Sequence, residues 1–299
     1  MEYVVVSTAV MDDMTLADGT YMGKLLGGAG IYALCGAKLW TDQVILVTGT
    51  GQDLYDRHKS WFEKNQLSTE GITIKSEYSP ISILQYQENG ERTETPLYGA
   101  EHYQWMEAVP REIEPHCRDA KGVYIFKGTD SGYWNEILDL KKQYGFRILW
   151  ELNGDYACPQ YANAVRSIAE GIDVFSINAA EAKRLFGCEE AEAVERLRSM
   201  GVPLVYYRRG SKGAYMITSR EIQDVPGVQN LAVIDSTGGG NSSSAGVLYG
   251  YCEGLGPKEC GILGSISAAS CITQYAVPEN IDDGLRRNAE RLRRQMMEE

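Results

Sequence analysis

Leu231-Ala232-Val233-Ile234-Asp235-Ser236-Thr237-Gly238-Gly239-Gly240-Asn241-Ser242-Ser243-Ser244-Ala245-Gly246 is the stretch whose reading decides the fold. The apolar run Leu231 to Ile234 predicts the end of a strand, and the three glycines predict a turn. The small residues from Asn241 onward, followed by Val247, Leu248 and Tyr249, predict a helix. Consecutive glycines let backbone N–H groups converge without Cβ interference, and the positive end of a helix adds to their pull. A strand, a glycine turn and a helix in this order make an anion site suited to the transferring phosphate of a nucleotide. The same residues also read as a plain strand-to-helix turn in which glycine serves geometry alone.

The rest of the chain sets the context. With 299 residues, 43% hydrophobic and 23% charged, it has the length and composition of a soluble α/β unit. No run of about 18 apolar residues occurs, so no membrane span is expected. The N-terminus enters the strand-like Tyr3-Val4-Val5-Val6 with no basic leader, which gives a cytoplasmic expectation. Seven cysteines are scattered without a Cys-x-x-Cys pair, and three histidines lack metal-ligand spacing, so neither a disulfide framework nor a zinc site is predicted. A formal charge of −12 argues against nucleic acid as a partner.

Strand-like segments alternate with helical ones. Glu2–Ser7, Val44–Thr48, Gly122–Phe126, Arg147–Glu151 and Asp173–Ile177 read as buried strands, and Glu136–Lys142 is an amphipathic helical segment between two of them. This alternation predicts a doubly wound, mostly parallel sheet flanked by helices in a single α/β domain over 1–299. Ile74–Gly99 differs: Ser82–Gln87, the turn Glu88-Asn89-Gly90-Glu91 and Arg92–Tyr98 read as a hairpin. Gly49-Thr50-Gly51 reads as a turn closing the second strand. Trp61, Phe62 and Leu67 suit a packed helix, and Asp283–Met297, with five arginines, a solvated amphipathic one. Asn178 and Glu181 have the spacing of an N-cap and its capping-box partner.

Asp235-Ser236-Thr237-Gly238-Gly239-Gly240-Asn241 resembles the C-terminal signature of the ribokinase-like (PfkB) sugar and nucleoside kinases, usually Asp-Thr-x-Gly-Ala-Gly-Asp. Four further matches follow in chain order: the Gly27-Gly28 helix, the hairpin, Asn178-x-x-Glu181, and Gly210-x-x-Gly213. The resemblance implies a β-sheet lid, inserted from about 14–24 and 74–103, that excludes water and offers a surface for a homodimer. It implies that Gly238, Gly239 and Gly240 form the anion hole and that Asp12, with Asp13 as the alternative register, binds substrate hydroxyls near Gly27 and Gly28. It places Asn178, Glu181, Arg208, Gly210 and Gly213 at the nucleotide, with Glu181 organising Mg²⁺ through water, and the helix Gly264–Ile272 along the adenine. ATP and Mg²⁺ are the implied cofactors, with room for a monovalent cation, and the implied partner is a small sugar or nucleoside.

Four positions depart from the family. Asn241 stands where the base is an Asp, and an amide cannot accept a proton near neutral pH. Asp235 is the substitute base within reach of the turn. Tyr32 replaces an Asn that touches substrate, which suggests stacking on a sugar or base, or an altered pocket. Arg208 stands where a Thr is usual, and it or Arg209 either clamps phosphate or covers a surface. Glu151-Leu152-Asn153 occupies a strand end where the family has Asp-x-Asn. The expected activity is transfer of the ATP γ-phosphate to an alcohol hydroxyl; the alternative is a pseudokinase that binds nucleotide or sugar for sensing or assembly.

Overall fold

Tyr3-Val4-Val5-Val6 is buried on both faces, the signature of a strand in the middle of a covered parallel sheet. The computed structural model describes residues 1–88 and 92–298. The elements in order are β1 (Tyr3–Val6), β2 (Val10–Thr15), β3 (Tyr21–Gly27), α1 (Ala29–Lys38), β4 (Val44–Gly51), α2 (Gln52–Lys64), β5 (Ile72–Ser76), β6 (Ile81–Tyr86) and β7 (Arg92–Pro96). Then come α3 (Ala100–Met106), α4 (Pro110–Ile113), β8 (Gly122–Lys127), α5 (Ser131–Tyr144), β9 (Arg147–Leu152), α6 (Ala162–Ala169), β10 (Val174–Asn178), α7 (Ala179–Phe186) and α8 (Glu190–Ser199). The chain closes with β11 (Leu204–Arg208), β12 (Ala214–Ile217), β13 (Ile222–Val225), α9 (Gly239–Cys252), α10 (Pro257–Ile272) and α11 (Asp283–Glu298).

The large sheet runs β13-β12-β11-β10-β9-β8-β1-β4-β5. Its pairs are parallel from β11 to β5, and β12 and β13 add an antiparallel edge. Leu34, Phe62, Leu248, Ile266 and Met296 pack on one face, bringing α1, α2, α9, α10 and α11 there. Trp134, Ile168, Leu185 and Leu197 cover the other with α5, α6, α7 and α8. This is the doubly wound arrangement predicted from the sequence. Open sheets of this kind gather their ligands at the carboxyl ends of the strands. A second sheet, β3-β2-β6-β7, stands apart from the first.

Small residues explain how α1, α9 and α10 come so close. A Cβ on Gly36 would lie 2.1 Å from the Ser242 carbonyl oxygen, and one on Gly246 would lie 2.4 Å from Ser267 Oγ. The small-residue helices are therefore packing devices first.

Several boundaries differ from the sequence reading. Leu231–Ile234 is not a strand: Val233 and Ile234 are 56% and 48% exposed. The apolar run lines clefts instead of a sheet. The helix begins at Gly239, two residues before the expected start. Asp12 and Asp13, which the sequence reading leaves outside any strand, lie inside β2, paired with Leu25 and Lys24 of β3. Gly49-Thr50-Gly51 continues β4; a Cβ on Gly51 would meet Tyr78 backbone at 2.2 Å, so close packing and not a turn requires the glycine. The small sheet starts at Val10 and runs through Gly27, whereas Ile72–Ser76 joins the large sheet. Of the hairpin turn, Asn89, Gly90 and Glu91 lie outside the described residues. One face of α11 is docked, with Ala289 and Met296 buried and Arg286 and Arg293 paired to Asp42 and Glu259.

Candidate active site

The N-terminus of α9 is the centre of the site. Gly238 caps it with φ 73°, a left-handed conformation that costs glycine little, and no side chain caps it among the described residues. A Cβ on Gly238 would fall 1.9 Å from the Tyr32 ring, and one on Gly240 would fall 2.0 Å from a guanidinium nitrogen of Arg208. Glycine is thus demanded twice: by the backbone, and by groups pressed against the turn from either side.

Asp235 shapes the turn before it. Its Oδ1 accepts the Thr237 N–H at 3.0 Å and the Thr237 hydroxyl at 2.5 Å. Arg92, from the small sheet, reaches the same oxygen at 3.5 Å. Oδ2 is buried without a partner among the described residues. Asp235 is an organiser of the turn that keeps one carboxylate oxygen uncommitted.

Asp12 lies close by, on β2. It is 5% exposed, and a Cβ on Gly27 would collide with its Oδ2 at 2.0 Å. Gly27 therefore serves by making room for Asp12. Burial, with help from Glu94 and Asp235 and opposed by Arg92, raises the Asp12 pKa to about 7. Asp13, the neighbouring candidate, projects to the opposite face of the strand and is less buried. Tyr32 is 2% exposed beneath Gly238, so its ring face is not offered for stacking, and the altered-pocket reading is the one its burial fits.

Asn241 sits in the first turn of α9. Its Nδ2 lies 3.2 Å from the Tyr124 oxygen and 3.2 Å from Glu151 Oε1. Tyr124 donates its own proton to Glu151 Oε2 at 2.8 Å, so the phenol accepts from the amide. Both amide hydrogens are thereby used, and Oδ1 is the atom left to accept from a substrate hydroxyl. Glu151, 2% exposed at the end of β9, also binds Arg208 at 2.9 Å. Arg208 continues to Glu181 Oε2 at 3.6 Å. Burial opposes the Arg208 charge, but Glu151 and Glu181 outweigh it and raise its pKa. Arg209 instead stacks on Tyr215 at 3.6 Å and pairs with Asp224.

Asn178 and Glu181 form the expected capping box: Glu181 N–H donates to Asn178 Oδ1 at 2.9 Å and Asn178 N–H donates to Glu181 Oε2 at 2.8 Å. Asn178, Arg208, Gly210, Gly213, Gly239 and Gly240 all line one cleft of about 560 Å³, with Leu231, Val233, Ala269 and Ile272 as its apolar wall. A second cleft of about 810 Å³ holds Tyr86, Arg92, Asp235 and Tyr275. Val233 and Ser236 belong to both, so the glycine turn stands at their junction.

Sequence reasoning missed Arg92, Glu94, Tyr86, Tyr124 and Tyr275. Arg92 and Glu94 alternate on β7 and so share a face, which the polar strand Arg92-Thr93-Glu94 carried as a signal once its direction was known. Tyr124 lay hidden in an apolar strand.

A doubly wound sheet with a glycine-opened helix between two clefts, and a small sheet beside one of them, defines a ribokinase-like fold. A family model described as pfkB family carbohydrate kinase matches residues 3–283, and the chain belongs to that family. It is 35% identical over 118 residues to an uncharacterized sugar kinase of Archaeoglobus fulgidus, a match spanning 39% of this chain and 46% of that protein. It is 26% identical over 283 residues to a cytidine kinase of Thermococcus kodakarensis, covering 92% of this chain and 97% of that protein. Among solved structures, adenosine kinase from Sinorhizobium meliloti superposes with a TM-score of 0.79 at 19% identity, covering 97% of this chain and 98% of that one. Arabidopsis thaliana ribokinase complexed with ribose and ATP gives 0.76 at 20% identity, with 98% of each chain covered.

Proposed function

We propose that this chain is a nucleotide-dependent phosphotransferase that moves the γ-phosphoryl group of ATP to a hydroxyl of a small sugar or nucleoside. The observation that carries this reading is the junction of the two clefts at the uncapped N-terminus of α9. The 560 Å³ cleft, with its glycines and apolar wall, suits a nucleotide. The neighbouring cleft, with Asp12 close by, suits a polyol or nucleoside. Membership in a carbohydrate kinase family supports the same assignment, as do relatives named as a cytidine kinase and nucleoside kinases.

The bond from the γ-phosphorus to the bridging oxygen breaks, and a bond from phosphorus to the acceptor oxygen forms. First-turn amides of α9 hold the migrating group, and Asn241 Oδ1 accepts a hydrogen bond from the attacking hydroxyl and orients it. Asn241 does not take the proton. Transfer through a loose transition state leaves little charge on the attacking oxygen until late, so the proton can pass to an oxygen of the transferred phosphoryl group. The small sheet acts as a lid over the acceptor, and its outer residues Tyr21 and Met22, 61% and 37% exposed, offer a face for a second copy. Glu181 Oε2 is engaged by the Asn178 N–H and faces Arg208, which leaves Oε1 as the oxygen that would order a hydrated Mg²⁺ and its charge beside the phosphates.

A second reading rests on the same amide. With both its hydrogens tied to Tyr124 and Glu151, Asn241 belongs to a closed network that suits binding without turnover. Incubating the purified protein with ATP and a panel of nucleosides and sugars, and following ADP, separates the two. Acceptor-dependent ADP formation is expected. Nucleotide binding by calorimetry with no product from any acceptor would move the assignment to a pseudokinase.

A further inference from the structure

The small sheet gives the acceptor cleft a face of fixed charge. Side chains alternate across a strand, so Ser82, Leu84 and Tyr86 of β6 share one face, as do Arg92 and Glu94 of β7. The register sets Asp12 opposite Ser82, Glu94 opposite Leu84 and Arg92 opposite Tyr86. Tyr86 and Arg92 line the 810 Å³ cleft, and Glu94 stands one step further along the same face, toward Asp12. Its side chain is 53% exposed, and Ser82 Oγ holds its Oε1 at 2.9 Å.

Arg92 is the cation of this face, and its charge is answered twice, by Glu94 Oε2 at 3.7 Å and by Asp235 Oδ1 at 3.5 Å. Asp12 adds a third carboxyl, near enough that the charges of Glu94 and Asp235 both act on it. One guanidinium against three carboxyls leaves the face net negative, whether or not Asp12 holds its proton. A phosphate or carboxylate on the acceptor would have to strip Arg92 from its partners and then meet their charges. A hydroxyl or an ammonium meets hydrogen-bond acceptors instead. We infer that Glu94 is a specificity-determining residue: by occupying Arg92 and setting a carboxylate beside the cleft, it admits an uncharged or amine-bearing sugar or nucleoside and turns away phosphorylated or carboxylated ones. The inference rests on the phosphotransferase reading given above, to which it adds the charge class of the acceptor.

The test is ATP-dependent turnover of the intact protein with acceptors matched in shape and differing in charge. Glucose is set against glucosamine and gluconate, fructose against its 1-phosphate and its 6-phosphate, and cytidine against its 3′-monophosphate, so that each set keeps a free primary hydroxyl. In every set that is used, kcat/KM for the anion is expected to lie at least about tenfold below that of its neutral partner, and glucosamine at or above glucose. Glu94→Gln keeps an oxygen for Ser82 and removes the charge, which frees Arg92 for an anion. It is expected to narrow the neutral-to-anion ratio by about fivefold or more, whereas a purely structural role would lower both members of a set together. Thermal melting checks that the variant folds, and the wild-type ratios stand without it. An anion used as well as its neutral partner overturns the inference and leaves the phosphotransferase reading standing. An unchanged ratio in folded Glu94→Gln overturns the part given to Glu94. Turnover with none of the acceptors overturns both readings.

Discussion

Replacing Asn241 with Asp looks like a simple restoration of the family's base, but the surroundings of Asn241 predict a different outcome. The amide nitrogen lies 3.2 Å from Glu151 Oε1. A carboxylate in its place would set two negative charges at that separation, away from water. At an effective dielectric constant of about 20 the repulsion is about 5 kcal/mol, equivalent to nearly four pKa units. Arg208, already bound to Glu151, offsets part of it. The introduced carboxyl therefore keeps its proton near neutral pH and cannot serve as a base. A carboxyl whose pKa is raised by folding costs stability above its unfolded value of about 3.9, and the cost grows until the folded value is passed. Differential scanning fluorimetry should show Asn241→Asp near wild type at about pH 4 and progressively less stable toward about pH 8. Turnover with the best acceptor should change little in the single variant. It should rise in Asn241→Asp combined with Glu151→Gln, by up to the 10²–10⁴-fold typical of general-base assistance, in about that range. A single variant that gained such a factor with no pH-dependent loss of stability would refute the reasoning, because Glu151 would then not face position 241 in solution.

The remaining predictions concern the two clefts and the turn between them. Asp12→Asn should leave stability unchanged near pH 4 and raise it progressively above wild type as pH climbs from about 4 to about 7, levelling off beyond, because the unfolded chain ionises Asp12 first while burial holds the folded carboxyl protonated up to about 7; urea titrations should find a gain of at most about 4 kcal/mol at pH 8. In the wild type, the acceptor KM should fall as pH rises through the same range, since the charged Asp12 is the stronger hydrogen-bond acceptor. Gly238→Ala should destabilise by at least about 1–3 kcal/mol, from a φ of 73° and a new Cβ set 1.9 Å from the Tyr32 ring, and should lower the melting temperature with or without nucleotide. Gly240→Ala should instead act on affinity, displacing Arg208 and weakening ADP about tenfold by calorimetry.

The parallel sheet and its helices were legible because a buried strand reads as an unbroken apolar run and a surface helix as a periodic one. The capping box was legible because both its members lie three residues apart in one chain segment. Leu231–Ile234 misled for the same reason: an apolar run says that residues avoid water, not whether a sheet or a ligand cleft receives them. Glu151 and Tyr124 mark the harder boundary. Their meeting at 2.8 Å comes from the pairing of β8 with β9, which no local pattern encodes.

Asn241 gains its meaning only from those two residues. Read alone it is a base that has been lost. Beside Glu151 it is one position of a polar cluster in which a carboxylate stands on β9, a guanidinium stands on β11 and an amide joins the first to the helix. An Asp at 241 together with Glu151 would bury two carboxylates against one arginine shared with Glu181, an arrangement whose desolvation cost exceeds what one cation returns. Asn at 241, Glu at 151 and Arg at 208 are therefore coupled choices. Changing Asn241 alone should therefore cost more than changing it together with Glu151, and Asn241→Asp, Glu151→Gln and the double variant form the cycle that measures that coupling.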